Sequence, residues 1–430
     1  MAASELAREC EVDQPLRGTY HVCGAVAEAV GVDSFRNEID NDTARAADSD
    51  QADNATTAMM RELMRLPAGS CVAVAMSGGV DSSTVAALLV EAGYRVFGLT
   101  ARLYDLDPAQ IGRVGSCCAP DDARDAKAVA GVLDIAHYTV DERDSFARDV
   151  IAPFEQAWQR GDTPNPCVAC NRSLKFDRLV QTAQALGAQA MATGHYARLE
   201  LDDGRPTLRR GVDPNKDQAY FLYPLAREAS EFVRFPLGGM AKPEVRAHAL
   251  RLGVPTAAKA ESMDICFVGA ERTQAWLDKR TAPVRGAIID TQGRVLAEHT
   301  GLAGFTVGQR HGLGLGSRPD GSAWYVIDKR GDGTIVVGEH AQLVVQHMEL
   351  GECIWLGDAV PPAGEPVQVQ IRHRGQAVAA RVIRADATSA AIEVHGDLLA
   401  AARGQSAVLF DGDRVLGGGL ITRADQREPR

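Results

Sequence analysis

The first candidate for chemistry is a seven-residue turn, SGGVDSS, at Ser77–Ser83. It separates two apolar runs and contains two glycines, an aspartate and three serines. Backbone N–H groups in such a turn, together with the N-terminus of a following helix, can bind a phosphate group. The lysine of the G-x-x-x-x-G-K-[ST] loop is absent, and the spacing is not that of the G-x-G-x-x-G loop. The turn therefore predicts a phosphate site of another kind, while Asp81 by itself is an ordinary acidic residue at a helix N-terminus.

The second candidate is a set of cysteines. Cys167 and Cys170 form a C-x-x-C pair within TPNPCVACN, and Cys266 follows 96 positions after Cys170. Two sulfurs three residues apart can address one atom. Nine cysteines in 430 residues are too few for a disulfide scaffold, so we expect mostly reduced thiols that can act as nucleophiles. A closed zinc site would need a fourth ligand that the sequence does not clearly supply.

Alternating strands and helices must position these groups. The pattern predicts strands at 72–76, 95–100 and 135–140, and helices at 82–91 and 121–133. Further helices are predicted at 145–159 and 175–186, and AQAMATGHYA is predicted to be a buried strand that ends in a loop. This alternation predicts a doubly wound parallel sheet, in which ligands bind at the carboxyl ends of the strands.

After about Gly269 the chain changes to short alternating segments separated by glycines, which predicts a β-rich region that ends in a small antiparallel barrel or sandwich. We therefore expect four parts. They are an acidic, disordered extension at 1–68, an α/β domain at 69–269, a central β-rich domain at 270–343 and a C-terminal β domain at 344–425.

Composition and charge narrow the function classes. The chain is 45% hydrophobic and 24% charged, with no apolar run long enough to span a bilayer, so we expect no membrane partner and a cytoplasmic location. Thirteen acidic and six basic residues lie in 1–66, which argues against a transit peptide. The net charge of −11 is unlike that of a generic nucleic-acid binder, but 205–285 holds fourteen basic and nine acidic residues, enough for a local RNA-binding patch.

The motifs together resemble a known family. SGGVDSS matches the S-G-G-x-D-S-[ST] signature of the ATP pyrophosphatase (PP-loop) superfamily, whose members cleave ATP to AMP and pyrophosphate. With NPCVACNRSLKF, ATGHYAR, KDQAYFL, ICF and FTVGQRHGLGLG, the chain from about Cys71 to about Ile421 resembles the tRNA-specific 2-thiouridylases. The resemblance implies a PP-loop domain, a central tRNA-binding domain and a C-terminal antiparallel β-barrel. It also implies ATP and Mg²⁺ as cofactors, with Asp81 beside the pyrophosphate to help hold Mg²⁺.

The resemblance also implies a reaction. ATP adenylates the C2 oxygen of the wobble uridine of tRNA, Cys266 carries sulfur as a persulfide, and Cys170 acts as the nucleophile that leaves a Cys170–Cys266 disulfide bond. Cysteine suits both roles because S–S exchange is reversible. The family further implies a cysteine desulfurase or a sulfur-relay protein as donor, and the tRNAs for Lys, Glu and Gln as acceptors.

Individual positions follow from the matched motifs. The resemblance implies that ATP contacts the loop residues Ala75, Met76, Ser77, Gly78, Gly79, Val80, Asp81 and Ser82, together with Ala101 and Gly194. It implies that tRNA contacts Asn165, Pro166, Cys167, His195, Lys216, Asp217, Gln218, Arg372, His373 and Gln405.

The sequence departs from the family at Cys167, where many members have an aspartate. The acid–base role proposed for that aspartate is therefore in doubt here, and Cys167, Cys170 and Cys266 could instead hold a [4Fe–4S] cluster that binds sulfide, as in other tRNA thiolases. Two other functions remain as alternatives: another PP-loop enzyme, such as an amide-forming synthetase or tRNA lysidine synthetase, and a non-catalytic RNA-binding module that holds zinc.

Overall fold

The computed structural model describes residues 10–12, 54–105, 120–261, 265–268 and 273–426. Its first part is an α/β domain built on a six-stranded sheet. In spatial order the strands are β1 (Cys10–Val12), β4 (Ala136–Asp141), β3 (Arg95–Arg102), β2 (Cys71–Ala75), β5 (Ala190–Thr193) and β8 (Val233–Arg234). All neighbouring pairs are parallel except β1 with β4. The sheet confirms the predicted doubly wound domain.

Helices cover both faces of this sheet. Their bounds are 54–64 (α1), Val80–Glu91 (α2), Pro120–Val132 (α3), 143–159 (α4), 166–185 (α5), Ala219–Leu222 (α6), Arg227–Phe232 (α7) and Lys242–Arg251 (α8). Helix α5 begins nine residues earlier than the sequence pattern predicted, so the C-x-x-C pair lies in a helix, and its part at Asn171–Arg178 is π-helical. Wider helical turns of this kind often occur at functional sites.

The strand order defines where a ligand can bind. Strand β2 lies between β3 on one side and β5 on the other. From β2 the chain runs toward one edge of the sheet through β3 and β4, and it then crosses to the opposite side of β2 to form β5. A crevice forms at such a reversal, outside the carboxyl ends of the strands. The SGGVDSS turn follows β2, and the turn at Gly194 follows β5, so both lie at this crevice.

Helix α1 differs from the expectation of a disordered extension. Met60 and Met64 on this helix are fully buried in the core with residues of α2 and α8, and Met59 and Leu63 pack beside them. These methionines and the leucine recur at helical spacing and bury enough apolar surface to order the segment. The rest of the predicted extension lies outside the described residues, apart from β1 and the short turn that leads into β2.

The remaining chain forms two β units. A short helix, α9 (Thr273–Asp278), precedes a four-stranded sheet ordered β10 (Val295–His299), β9 (Gly286–Asp290), β12 (Ile335–Gly338) and β11 (Tyr325–Lys329). The last unit contains β13 (Val345–Trp355), β14 (Pro366–Gln370), β15 (Val378–Ala385), β16 (Ser389–Val394), β17 (Ser406–Asp411) and β18 (Arg414–Gln426). Pairing of β13 with β18 closes these six antiparallel strands into a barrel, which confirms the barrel and excludes the sandwich.

A hairpin of the α/β domain is attached to this barrel. Strands β6 (Ala197–Asp202) and β7 (Arg205–Arg210) form the hairpin, and Arg209 of β7 pairs with Arg414 of β18. Asp413 accepts hydrogen bonds from Arg198 at 2.5 Å and Arg209 at 2.7 Å. These contacts hold the barrel against the α/β domain. The domain limits at 69–269, 270–343 and 344–425 stay a prediction. In the described residues, no helix has the length and apolar character needed to cross a bilayer.

The segment 158–163, which leads to the C-x-x-C helix, lies where the three units meet. The Thr163 N–H donates to the Arg403 carbonyl of the barrel at 2.7 Å. A Cβ added to Gly404 would lie 2.9 Å from Cβ of Asp162, and one added to Gly331 would lie 3.2 Å from the Arg160 carbonyl oxygen. Both β units therefore support the start of the cysteine helix.

Lys329 is buried at this junction. Its side chain is 2% exposed, its Nζ lies 4.3 Å from the ring centroid of Trp158, and among the described residues it has no hydrogen-bond acceptor. Burial lowers the pKa of Lys329 to about 7, an effect that Asp162 opposes and Arg403 reinforces. The ammonium form is therefore disfavoured by folding at neutral pH.

We expect Lys329→Met to stabilise the protein near neutral pH. Above pH 7 and up to about 10.4, the usual lysine pKa, the unfolded chain holds a proton that the folded chain does not, so this lysine makes the free energy of unfolding rise with pH by up to about 1.4 kcal/mol per unit. Methionine fills a similar volume without a buried amine, so we expect a gain in the free energy of unfolding of about 4 kcal/mol at pH 7 that falls to below about 1 kcal/mol at pH 10. Urea denaturation midpoints at pH 7, 8.5 and 10 measure this difference.

The exposed Lys279, changed to methionine, is the control for loss of a lysine charge and should shift the midpoints by the same small amount at every pH. A Lys329→Met protein that is less stable than the parent by the same amount at every pH would contradict the assignment, since its lysine would then contribute only packing.

Candidate active site

Hydrogen bonds among its own residues stabilise the conformation of the SGGVDSS turn. The Ser77 N–H donates to Ser82 Oγ at 3.1 Å, and Ser83 Oγ donates to the Gly79 carbonyl at 2.8 Å. Helix α2 begins at Val80, directly after the turn. The turn therefore lies directly before a helix N-terminus, which is the position that an anion site of this kind requires, and phosphate binding by its amides stays a prediction.

Two glycines allow other segments to approach this turn. Gly78 has a φ of +70°, and a Cβ there would lie 2.0 Å from the Asp122 carbonyl oxygen of α3. A Cβ on Gly194 would lie 2.7 Å from the Ser82 backbone nitrogen. Only glycine fits at these contacts. The loop residues, Gly194 after β5 and Ala101 near the end of β3 are thus brought to one edge of the sheet.

Asp81 is held by residues that the sequence analysis did not identify. Its Oδ1 accepts hydrogen bonds from the Tyr196 hydroxyl at 2.8 Å and from Lys242 Nζ at 2.6 Å. Lys242 is buried, and it also contacts Glu261 at 2.6 Å, while Glu261 pairs with Lys216. Burial raises the pKa of Glu261, but hydrogen bonds from Lys216 and Lys242 outweigh this and lower it to about 2.

A second lysine touches the turn itself. Lys259 Nζ donates to the Gly78 carbonyl at 3.0 Å, and it contacts Asp122 at 2.6 Å and Asp125 at 2.5 Å. Burial lowers the pKa of Lys259, but the two carboxylates more than compensate and raise it. The turn thus has cationic partners from distant segments in place of the lysine that its own motif lacks.

The first two residues of the NPC motif set the start of the cysteine helix. The Asn165 side chain accepts a hydrogen bond from the Cys167 N–H at 3.1 Å, and Pro166 occupies the first helical position. Both are favoured at these positions, because the asparagine satisfies an unpaired amide and proline has none to satisfy. Cys167 is exposed and Cys170, one turn later, is half-buried.

Cys170 and Cys266 pack against the same aromatic cluster. This cluster is built around the buried side chains of Phe146, Phe154, Trp158 and Trp276, and Cys170, Cys266 and Phe267 pack on it. The Phe267 ring lies 5.3 Å from that of Phe154 and 5.1 Å from that of Trp276. The Tyr104 hydroxyl donates to the Cys266 carbonyl at 2.8 Å. Residues 96 positions apart in the chain are therefore neighbours of one apolar cluster.

His195 lies beside the strand end in an aromatic pocket. Its ring is 5.9 Å from both Phe176 and Phe235, and its Nδ1 is 2.8 Å from Thr193 Oγ1. Desolvation, with Lys175 nearby, keeps the pKa of His195 well below its ordinary value. The imidazole is therefore neutral at neutral pH and can contact a base or a hydroxyl but supplies no charge to a phosphate.

The Lys216–Gln218 segment has structural contacts of its own. Asp217 accepts hydrogen bonds from Arg210 at 2.8 Å and from the Gly211 N–H at 3.0 Å. Gln218 accepts one from the Tyr196 N–H at 2.9 Å. These bonds hold the segment next to the strand end that carries Gly194 and His195.

Tyr220 joins the cysteine helix to the barrel. Its hydroxyl lies 3.1 Å from the Ile371 carbonyl oxygen and 3.0 Å from that of Ser406, and it is hydrogen-bonded to Asn165. Three barrel residues are expected to contact tRNA. Two of them, Arg372 and His373, directly follow Ile371, and the third, Gln405, directly precedes Ser406. These residues therefore face the α/β domain close to the start of the cysteine helix.

His373 and Arg372 are themselves positioned at this junction. The His373 ring lies 4.5 Å from that of Phe221 in α6, and burial lowers its pKa. Arg372 donates to the Ala400 carbonyl at 2.8 Å. The structure thus brings together two groups of residues, the SGGVDSS turn with its lysines and the cysteine helix with its barrel neighbours.

Comparisons with known proteins agree with this arrangement. Family models match residues 70–270 (tRNA methyl transferase HUP domain), 274–339 (tRNA methyl transferase PRC-barrel domain) and 345–421 (aminomethyltransferase beta-barrel domain). The tRNA-specific 2-thiouridylase MnmA of Rhodospirillum centenum is 43% identical over 369 residues, which cover 84% of this chain and 94% of the relative. The protein of that name from Sorangium cellulosum is 43% identical over 366 residues, with the same coverage. The chain belongs to the tRNA-specific 2-thiouridylase family.

A solved structure with a related fold is the U34-tRNA thiolase NcsA from Methanococcus maripaludis with its [4Fe-4S] cluster. It is 16% identical, with 53% of this chain and 69% of that chain covered and a TM-score of 0.34. A likeness at that level supports no argument about the cofactor of a 2-thiouridylase.

The three predicted cluster ligands do not lie together in one site. Across the described ranges, no group of three or more His, Cys, Asp or Glu side chains is arranged to hold a metal ion. Cys167 is exposed, whereas Cys170 and Cys266 are half-buried beside the aromatic cluster. The described residues therefore do not fit a [4Fe–4S] cluster held by Cys167, Cys170 and Cys266 in this arrangement.

Several contacts of the 2-thiouridylase site had no signal in the sequence. Tyr196 and Tyr220 lie in motifs that resemble the family, but nothing local marked them as hydrogen-bonding partners of Asp81 and Asn165. Lys242 begins a segment that resembles an ordinary solvated helix, and Glu261 lies outside every motif. Only their positions in space connect them to the site.

Proposed function

We propose that this protein replaces the C2 oxygen of the wobble uridine of tRNA with sulfur, at the expense of ATP. The observation that carries the proposal is the joint packing of Cys170 and Cys266 on one aromatic cluster, in a domain where the SGGVDSS turn leads directly into helix α2. An activating site and a pair of neighbouring thiols are the two parts that a sulfur-transfer enzyme of this kind requires.

The first step activates the uridine. Its C2 oxygen attacks the α-phosphorus of ATP, an O–P bond forms, and pyrophosphate leaves. The amides of the SGGVDSS turn and the N-terminus of α2 stabilise the negative charge that develops on pyrophosphate. Mg²⁺ supplies further neutralisation of the phosphates when bound, and the second oxygen of Asp81 is the ligand that the loop offers for it. Ala101 and Gly194 lie where the adenylate would contact the sheet edge.

The second step delivers sulfur. The terminal sulfur of a Cys266 persulfide attacks C2, and AMP leaves with the original oxygen. The Cys170 thiolate then attacks Sγ of Cys266, which breaks the S–S bond and leaves 2-thiouridine and a Cys170–Cys266 disulfide. A thiol reductant returns the disulfide to two thiols by supplying two electrons. The sulfur donor is a persulfide-bearing protein, such as a cysteine desulfurase or a relay protein.

The tRNA approaches from the barrel side in this proposal. The tRNA contacts proposed at the N-terminal end of the cysteine helix are Asn165, Pro166 and Cys167. Those proposed on the side of the sheet are His195 and the Lys216–Gln218 segment. Arg372, His373 and Gln405 lie on the barrel side of the same junction. An anticodon loop suits this arrangement, because its unstacked bases can be extruded into a pocket. The acceptors proposed are the tRNAs for Lys, Glu and Gln.

The purified protein should convert uridine to 2-thiouridine in an unmodified transcript of one of these tRNAs. The reaction contains ATP, Mg²⁺ and a persulfide donor, and nucleoside mass spectrometry identifies the product while AMP and pyrophosphate are counted. We expect one AMP and one pyrophosphate for each thiolated base, since one oxygen leaves per adenylation.

Other products would contradict the proposal. A methylated base would favour the activity that the names of the family models suggest, and AMP without thiolation would favour another PP-loop synthetase. Iron and labile-sulfide analysis of anaerobically purified protein distinguishes sulfur transfer from a Cys266 persulfide from sulfur transfer by a [4Fe–4S] cluster. Stoichiometric iron that is required for turnover would show that the cluster, and not the persulfide, delivers sulfur.

A further inference from the structure

Thr100 on β3 lies beside the peptide bond that begins the SGGVDSS turn. Its side chain is buried, and its Oγ1 donates to the Met76 carbonyl at 2.8 Å. The Met76 N–H donates to the Leu99 carbonyl at 2.7 Å. Met76 is therefore fixed to β3 through both its amide and its carbonyl, although strand β2 ends one residue earlier, at Ala75.

A second buried side chain completes the hydrogen bonding of Thr100. His137 on β4 places its Nε2 2.9 Å from Thr100 Oγ1. A hydroxyl has one proton, and Thr100 gives that proton to the Met76 carbonyl, so the His137 Nε2–H is the donor in this contact. A hydrogen bond that the hydroxyl accepts polarises the one that it donates, so the two bonds strengthen each other.

Gly98 allows the side chains of Met76 and His137 to meet over β3. A Cβ on Gly98 would lie 2.6 Å from Met76 Sδ and 2.8 Å from His137 Cδ2. The thioether and the imidazole thus cover the same stretch of the strand, where any other residue would displace one of them. The His137 ring is therefore positioned by packing as well as by its hydrogen bond to Thr100.

The chain of hydrogen bonds continues through the Met76–Ser77 peptide into the turn. Because a peptide group is planar, the Met76 carbonyl and the Ser77 N–H have a fixed relative orientation. Thr100 therefore orients the Ser77 N–H, which donates to Ser82 Oγ at 3.1 Å. Ser82 is expected to contact ATP, and its own proton is directed at the Gly79 carbonyl across 3.4 Å, a long contact that a phosphate oxygen can replace.

We propose that Thr100 and His137 are positioning residues that orient the Ser82 hydroxyl toward the departing pyrophosphate. The inference rests on the proposed function and deepens it, because it assigns part of the ATP-cleavage step to two side chains outside the turn. A hydroxyl that is aligned before pyrophosphate leaves stabilises the charge that develops in the transition state. Thr100 also directly precedes Ala101, the proposed adenylate contact, so the same strand end supports both parts of the nucleotide site.

Thr100→Val removes the hydroxyl and nearly keeps the shape of the side chain. We expect it to lower kcat for tRNA-dependent AMP formation by about tenfold or more and to leave KM for ATP within about threefold, because the alignment matters most when charge develops on pyrophosphate. Thr100→Ser keeps the hydroxyl and should restore kcat to within about threefold of the parent value. Rates of AMP and pyrophosphate formation at several ATP concentrations measure both constants.

Amide hydrogen exchange at Ser77 reports on the turn without tRNA or ATP. Fragmentation mass spectrometry of the full-length protein after exchange resolves this amide. Thr100→Val should speed its exchange by about tenfold or more, since the peptide before it is no longer held to β3.

The contribution of His137 should pass through the Thr100 hydroxyl. His137→Phe keeps an aromatic ring and loses the donor, so we expect it to lower kcat by about threefold or more and to speed Ser77 exchange. In the Thr100→Val background the same change should have no further effect on either quantity, because the hydroxyl through which it acts is absent.

Thr182→Val is the matched control. Thr182 is buried, and its Oγ1 donates to the Arg178 carbonyl at 3.0 Å within α5. The variant loses a buried hydroxyl and one hydrogen bond to a carbonyl, as Thr100→Val does, at a place about three helical turns after Cys170. Both kcat for AMP formation and Ser77 exchange should match those of the parent protein.

Two results would overturn the proposal. The first is a Thr100→Val protein that keeps the parent kcat or the parent exchange rate at Ser77. The second is a loss of kcat in His137→Phe that is equally large in the Thr100→Val background. If Thr100→Val does not fold, the His137→Phe protein decides alone, since parent values of kcat and Ser77 exchange in that protein would equally contradict the proposal.

Failure of the proposed function is distinguishable from failure of this inference. It would appear as absence of 2-thiouridine from reactions of the parent protein. The exchange rates at Ser77 need neither tRNA nor sulfur, so they test the chain of hydrogen bonds from His137 to Ser82 in either case.

Discussion

Cys170→Ser and Cys266→Ser should each lower 2-thiouridine formation by about a thousandfold or more, because an alcohol can neither carry a persulfide nor take part in S–S exchange. Adenylation needs no thiol. We therefore expect tRNA-dependent release of AMP, from hydrolysis of the activated uridine, to continue within about tenfold of the parent rate. Nucleoside mass spectrometry and AMP release, measured in the same reaction, separate the two half-reactions.

Cys71→Ser is the control for loss of a half-buried thiol outside the site, and it should leave both rates unchanged. Cys167→Ser distinguishes the two sulfur routes. It should retain most thiolation if Cys266 carries a persulfide, whereas it should behave like Cys170→Ser if the three thiols hold a cluster. Full thiolation by either the Cys170→Ser or the Cys266→Ser protein would refute the sulfur-transfer mechanism.

Gly78→Ala should slow ATP cleavage by more than about a hundredfold while the rest of the protein stays folded. The alanine Cβ would lie 2.0 Å from the Asp122 carbonyl oxygen, and the φ of +70° is unfavourable for alanine by about 1–2 kcal/mol. The turn must move to relieve this contact, and its amides then no longer point at the phosphates. A loss of about 3 kcal/mol of transition-state stabilisation corresponds to more than a hundredfold in rate. Steady-state formation of AMP and pyrophosphate measures it.

Gly69→Ala separates backbone strain from the close contact. Gly69 has a φ of +82°, but a Cβ there would have no neighbouring atom within 4 Å. This variant should lose some stability and keep its ATP cleavage. If Gly78→Ala cleaves ATP at the rate of Gly69→Ala, the turn does not depend on its contact with α3 and the assignment of the pyrophosphate site is wrong.

Local patterns were sufficient for the frame of the α/β domain. The alternation of apolar strands and helices predicted β2, β3 and β4 to within two residues, and it placed β5 within AQAMATGHYA, since each element buries a face whose period appears in consecutive residues. The turn at Ser77–Ser83 could likewise be predicted, because its glycines and its place between strand and helix are adjacent in sequence. Helix α1 was missed although its methionines recur at helical spacing, since the acidic composition around them suggested disorder.

The contacts that join the site were not predictable in this way. Lys242 meets Asp81 across 161 residues, and Tyr220 meets Ile371 across 151. The hairpin β6–β7 pairs with the barrel, although it belongs to the α/β domain in sequence. Ion pairs and hydrogen bonds between distant segments have no periodicity and no fixed spacing, so a single chain carries no local signal of them.

The sequence alone therefore determined the chemistry that this protein can perform: a pyrophosphate turn, a C-x-x-C pair and a third cysteine, in a chain whose motifs resemble one family. The tertiary structure decided how those parts are placed together. In the folded protein Cys170 and Cys266 pack on one aromatic cluster, and the barrel closes beside the cysteine helix. Lys242 and Lys259 contact the SGGVDSS turn, whose own sequence contains no lysine. The identity of a residue determines the reactions in which its side chain can take part, whereas long-range packing determines which side chains lie close enough to act together.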